Sequence, residues 1–161
     1  MNRIDLKDPA TGEFIGTCPE FAKGDTERAI RAAATAFRSF RRSTPRERSR
    51  LLRKWYDLVT EHAEDLSFLI TLESGKALVD ARSEVTYAAN FLEWFSEEAP
   101  RMYGDVIPAT IAGNQVFTIK EPVGVCGLIT PSVLDALIKF IFHTLLTLNC
   151  SWNFPAAMVT R

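Results

Sequence analysis

The strongest constraint on the fold is a change of hydrophobic period near Gly104. Between Asp25 and Ala99 the apolar residues recur at three- and four-residue spacing, the mark of helices with one buried face. Beyond Gly104 that spacing gives way to extended chain, first alternating and then almost wholly apolar. Residues 116–121 alternate Val116, Thr118, Lys120 against Phe117, Ile119, Glu121, as in a half-exposed antiparallel strand. Val123-Gly124-Val125-Cys126-Gly127-Leu128-Ile129 is nearly all apolar or small, which predicts a parallel strand covered on both faces. Helices followed by such a strand define an α/β architecture.

Three helices are predicted. Asp25 caps the first, whose face carries Ala29, Ile30, Ala33, Phe37 and Phe40. The second opens on Thr44-Pro45-Arg46-Glu47, a capping box with proline at the first helical position, and ends at Gly75. Its face carries Leu51, Leu52, Trp55, Leu58, Val59, Leu66, Leu69 and Ile70. The third spans about 77–99, buries Val85, Ala88, Phe91, Leu92 and Phe95, and stops before Pro100. The aromatic residues at this spacing are core, and the Arg46, Glu47, Arg48, Arg50, Arg53 and Lys54 cluster is a solvated face. Ahead of the helices, Asp8-Pro9-Ala10-Thr11-Gly12-Glu13 forms a turn between extended residues 4–6 and 14–18.

The 161 residues suffice for one domain with a core. A net charge of −1 gives no reason to expect nucleic acid or an anionic membrane as a partner. Three cysteines without metal spacing and only two histidines argue for a reduced, intracellular setting and against a metal centre. Residues 1–5 carry neither an apolar core nor an Arg/Ser-rich amphipathic stretch, so no secretion or import signal is expected there.

Three stretches, in this order and spacing, resemble one family. They are the Asp8–Glu13 turn, Leu72-Glu73-Ser74-Gly75-Lys76, and Glu121-Pro122-Val123-Gly124-Val125-Cys126-Gly127-Leu128-Ile129-Thr130-Pro131. The family they resemble is the aldehyde dehydrogenases. Phe91-Leu92-Glu93-Trp94-Phe95-Ser96-Glu97-Glu98-Ala99 followed by Tyr103-Gly104-Asp105-Val106-Ile107-Pro108 is most similar to its succinate-semialdehyde branch. The resemblance implies the N-terminal part of a Rossmann-type nucleotide-binding domain over residues 1–161: three helices, a hairpin-like extended segment and the first parallel strand. That part is incomplete.

Within the family pattern Thr-Pro runs directly into Trp-Asn-Phe-Pro. Here twenty residues, 132–151, separate Thr130-Pro131 from Trp152-Asn153-Phe154-Pro155. Eleven of them are apolar, and Asp135, Lys139 and His143 share one helical stripe. The stretch is too short and too interrupted by charge for a membrane span, which needs about 20 apolar residues. It reads either as an amphipathic helix or, preferably, as an unspliced in-frame intron. Codon degeneracy permits a GT donor at Pro131-Ser132, a branch-like CTRAC at Leu146-Thr147 and a terminal CAG at Cys150-Ser151.

The resemblance also implies chemistry: hydride transfer from an aldehyde, succinate semialdehyde foremost, to NAD or NADP. By that resemblance Asn153 donates its side-chain amide to the oxyanion, an uncharged donor that does not titrate near neutrality. Ile129, Thr130, Pro131 and Trp152 correspond to residues that approach the dinucleotide at the end of the first strand. Gly124 and Gly127 make no dinucleotide fingerprint by themselves. No cysteine matches the family nucleophile: Cys126 sits mid-strand as a small hydrophobe, Cys18 stands beside Pro19, and Cys150 belongs to the inserted stretch. The glutamate base, phosphate loop and ribose-binding lysine would lie past Arg161. The expectation is an inactive fragment of an enzyme that works as a homo-oligomer in the cytoplasm or mitochondrion. A non-enzymatic module binding full-length subunits and a mis-predicted gene product are the alternatives.

Overall fold

In the computed structural model, residues 2–127 are described. The chain opens with a hairpin in which β1 (Arg3–Lys7) pairs antiparallel with β2 (Phe14–Pro19), in the register Ile4 opposite Cys18 and Leu6 opposite Gly16. The predicted turn joins them. Asp8 Oδ1 accepts from the Ala10 amide at 2.7 Å, and the Gly12 amide donates to the Asp8 carbonyl at 2.8 Å. Asp8 thereby satisfies turn amides from its own side chain and backbone.

Four helices follow: α1 (Lys23–Phe40), α2 (Pro45–Glu61), α3 (Ala63–Ser74) and α4 (Leu78–Glu98). Asp25 is not the cap of α1, as the sequence suggested, but its third helical residue. The helix starts two residues earlier, and the Asp25 carboxylate accepts from the Ala22 amide at 2.8 Å. The Thr44–Glu47 box forms as predicted. Thr44 Oγ1 accepts from the Glu47 amide at 3.3 Å, and the Thr44 amide donates to Glu47 Oε2 at 2.7 Å. Both bonds use backbone donors that the first turn leaves without helical partners.

The run from Pro45 to Ser74, predicted as one helix, is broken at His62 (φ −101°, ψ 21°). The break has a packing cause. An unbroken helix of that length would run about 45 Å, against about 31 Å for α4 at the same rise per residue. Turning at His62 lets α2 and α3 both pack on α4. Gly75 ends α3 in the left-handed region (φ +73°), its amide donating to the Thr71 carbonyl at 2.9 Å.

The core lies between these three helices. Leu52 and Val59 of α2, Ile70 of α3, and Ala81, Val85, Ala88, Ala89 and Leu92 of α4 form one buried cluster. Trp55, Leu66, Phe91 and Phe95 pack against its margin. Burying a leucine or valine side chain is worth about 1.5–3 kcal/mol, so these few residues supply most of the cohesion. Ser67 and Ser96 are buried too, and each donates its hydroxyl to a carbonyl of its own helix at 2.6 Å (Ala63 and Glu93). Leu51, Leu58 and Leu69, assigned to the same apolar face, stay about half exposed.

A 3-10 turn (Ala99–Arg101) containing Pro100 closes α4, and a short hairpin pairs β3 (Val106–Ile107) with β4 (Val116–Phe117). The half-exposed strand foreseen over residues 116–121 is therefore limited to its first two residues. Asp105 and Thr118 fasten the open end: the Asp105 amide donates to Thr118 Oγ1 and the Thr118 amide to the Asp105 carbonyl, each at 2.8 Å. Residues 123–127 form no strand. Gly124 has φ +116°, a conformation outside the extended region, and no neighbouring strand among the described residues offers a ladder. Val123 and Val125 are accordingly 65% and 42% exposed.

Candidate functional site

The described residues end at Gly127, just before the segment to which the site was assigned. Ile129, Thr130, Pro131, Trp152 and Asn153 all lie outside them, as do residues 132–151. What the structure describes is the scaffold on the near side of that segment.

Two of the stretches that carried the resemblance meet in space. The Asp8–Glu13 turn sets Pro9 against Gly75 at the end of α3, so closely that a Cβ on Gly75 would stand 2.9 Å from Pro9 Cγ. Next in sequence, Lys76 forms a half-buried ion pair with Glu84, tying the α3–α4 connection to α4. Sequence reasoning recognised both stretches and missed their contact. A glycine followed by lysine at a helix end signals a C-cap, but nothing local names the partner.

Among the described residues, two ion pairs join separate helices. Arg53 Nη1 of α2 reaches Glu93 Oε1 of α4 at 3.1 Å and its guanidinium lies over the Tyr56 ring. Arg82 of α4 makes a forked contact with Glu64 of α3, at 2.7 Å from Nη2 and 3.0 Å from Nε. The hydrogen bond from Arg82, followed by its charge, holds the Glu64 carboxyl below the ordinary glutamate value, and the same bond raises Arg82. Glu47 is lowered first by the hydrogen bond from the Thr44 amide, then by the Thr44 hydroxyl. Each shift has a structural partner. Glu98 likewise pairs with Arg101.

Cys126 is partly buried, with Sγ 3.8 Å from the Gly124 carbonyl. Cys18, on β2 opposite Ile4, is also partly buried. No imidazole or carboxylate is bonded to either thiol among the described residues. No group of three metal-ligating side chains occurs there either. No helix among them is long and apolar enough to cross a membrane.

This scaffold and its motifs define the chain's class, and comparison with known proteins agrees. The model of the aldehyde dehydrogenase family matches residues 1–132, and the chain belongs to that family. Within it, the chain is 44% identical over 158 residues to a glutarate-semialdehyde dehydrogenase of Pseudomonas aeruginosa and to the NADP(+) succinate-semialdehyde dehydrogenase of Saccharomyces cerevisiae. Each alignment covers 98% of this chain but only 29% and 28% of those relatives, so the chain spans less than a third of their length. Among solved structures, the succinate-semialdehyde dehydrogenase of Burkholderia pseudomallei superposes with a TM-score of 0.75 at 44% identity, over 78% of this chain and 26% of that one. A betaine aldehyde dehydrogenase of Staphylococcus aureus in complex with NAD+ superposes with a TM-score of 0.72 at 34% identity, over 76% and 25%.

Proposed function

We propose that this chain is the N-terminal part of an enzyme that oxidises a short aldehyde bearing a carboxylate, succinate semialdehyde first, to the corresponding acid. The observation that carries the reading is the 44% identity, sustained over 158 residues, to relatives named for succinate and glutarate semialdehydes. The acceptor is a nicotinamide dinucleotide, NAD or NADP, which when bound supplies the site that takes the hydride. Ile129, Thr130, Pro131 and Trp152 are the residues proposed to approach it. The carboxamide of Asn153 is proposed to donate an N–H to the substrate oxygen as negative charge builds there. The thiol nucleophile and the deacylating base are assigned to chain beyond Arg161. Residues 1–161 by themselves are therefore proposed not to turn over aldehyde. The assembled enzyme is proposed to be a homo-oligomer of the cytoplasm or mitochondrion.

The test is a graft. Residues 1–131 and 152–161 replace the matching segment of the Pseudomonas aeruginosa relative, and reduction of NAD+ and NADP+ is followed with each semialdehyde. A graft that folds like its host and oxidises succinate semialdehyde is the expected result. A folded graft inactive toward both semialdehydes overturns the reading. Turnover by purified residues 1–161 alone would overturn the fragment assignment.

A second reading is favoured by the apolar side chains the helices leave exposed, Ile30, Leu58, Phe68, Tyr87 and Trp94 among them. In it the chain is a non-enzymatic module that associates with intact dehydrogenase subunits. Co-purification of residues 1–161 with such subunits, without cofactor, supports it.

A further inference from the structure

The family model follows the chain to residue 132, one residue into the twenty-residue stretch 132–151. The curated alignments take in 158 of the 161 residues, and so continue beyond that stretch toward the Trp152-Asn153-Phe154-Pro155 end. On the near side, residues 123–127 pair with no strand among the described residues and leave Val123 and Val125 open to solvent. Tolerated insertions favour exposed loop tips made of small and polar residues. This one carries eleven apolar residues out of twenty and falls between two motifs expected to be contiguous.

We infer that residues 132–151 are no part of the working protein: they are the translation of an unspliced intron of sixty nucleotides, and the functional chain joins Pro131 directly to Trp152. The inference rests on the family membership established above, and its strength comes from phase. With Pro131 written CCG and Ser132 written TCN, a GT donor begins at the last base of the proline codon. Val133 then supplies G at the fifth base of the intron, where splice donors favour it. With Cys150 written TGC and Ser151 written AGT or AGC, the intron ends in CAG, two bases into the Ser151 codon. Joining the flanks leaves CC followed by T or C, which is proline in both cases. Excision therefore removes twenty codons, keeps the frame, and returns the same residue at position 131. Leu146-Thr147, written CTR-AC, places a branch sequence a short way upstream of that acceptor. Each of these codons is open to the amino-acid sequence, and the phase they share is what the message must show.

Tryptic mapping of the protein isolated from its natural source, with sequencing of its mature message, decides the matter. Trypsin cuts after Lys120, Lys139 and Arg161. The excised form gives one peptide of twenty-one residues, 121–131 fused to 152–161. The retained form gives 121–139 and 140–161 instead. The fused peptide, and a message lacking the sixty nucleotides, is the expected result. Peptides ending at Lys139 and starting at Phe140, or a predominant mature message that keeps those codons, overturns the inference. These readouts involve no catalysis, so they stand apart from the outcome of the grafting experiment.

Discussion

Pro9 and Gly75 lie sixty-six positions apart in sequence and touch in the fold, the proline ring occupying the space a side chain on Gly75 would need. Gly75 is thus constrained twice, by its left-handed backbone (φ +73°) and by the hairpin turn that leans on it. Gly75→Ala is expected to cost about 1–2 kcal/mol from the backbone conformation alone, with the Pro9 repulsion added. Urea unfolding followed by circular dichroism measures the sum. Combining it with Pro9→Ala should recover the steric part and leave the backbone part, so an additive double variant would refute the contact.

Leu92 of α4 is fully buried in the cluster that α4 shares with α2 and α3. Leu92→Ala deletes that packing and leaves a cavity, at an expected 2–5 kcal/mol by the usual range for such truncations. With so small a core, the same titration should show the transition lost or shifted to much lower denaturant. Leu58→Ala, at a half-exposed position on α2, should shift it far less.

Two carboxyls couple stability to acid. Glu47 and Glu64 both have folded values below the ordinary glutamate value, through Thr44 and Arg82 respectively. A depressed folded value means that the stabilisation is fully present above the unfolded value and is lost as pH falls through the folded one. Melting temperature should therefore fall on acidification through and below the ordinary glutamate range. Glu47→Gln and Glu64→Gln should each flatten that limb. The Glu64 effect should shrink in high salt, because the Arg82 pair is open to solvent and screened. A salt-independent acid limb in Glu47→Gln protein would show that other groups dominate.

Asn153 can be examined in the grafted enzyme lacking residues 132–151. Loss of one oxyanion donor typically costs about 100–1,000-fold in kcat, so Asn153→Ala should fall by that factor with little change in KM. Restoring residues 132–151 should be at least as damaging, because a donor must be held within about 0.5 Å by a rigid surround. An active graft with the stretch in place would separate Asn153 from the strand end as a requirement.

Much of this fold was legible from local rules. The Thr44–Glu47 box, the stop at Gly75, the end of α4 before Pro100 and the burial of Val85, Ala88 and Leu92 all follow from chemistry within a few residues. What escaped depends on partners far away in sequence. The break at His62 is set by the length of α4, and the exposure of Leu51, Leu58 and Leu69 by which helices happen to lie alongside. Residues 123–127 show the same dependence: an apolar run suits a strand, but a strand exists only when neighbours complete its hydrogen bonds. The proposed site rests on family resemblance alone: Asn153 and Trp152 carry no signal outside their motif, and both lie outside the described residues.

The manner of α1's attachment has a dynamic consequence. None of its eighteen residues is fully buried, Ile30 is 54% exposed, and Phe40 in its last turn is the one that packs on the core cluster. A helix held at one end keeps its remaining turns mainly through its own backbone bonds, and a lone helix of this length is marginal in water. Its early amides should therefore exchange with deuterium well before those of α4, opening without disturbing the rest of the protein. Within this family member, α1 would be the element whose order reports most directly on whether anything else is resting against it.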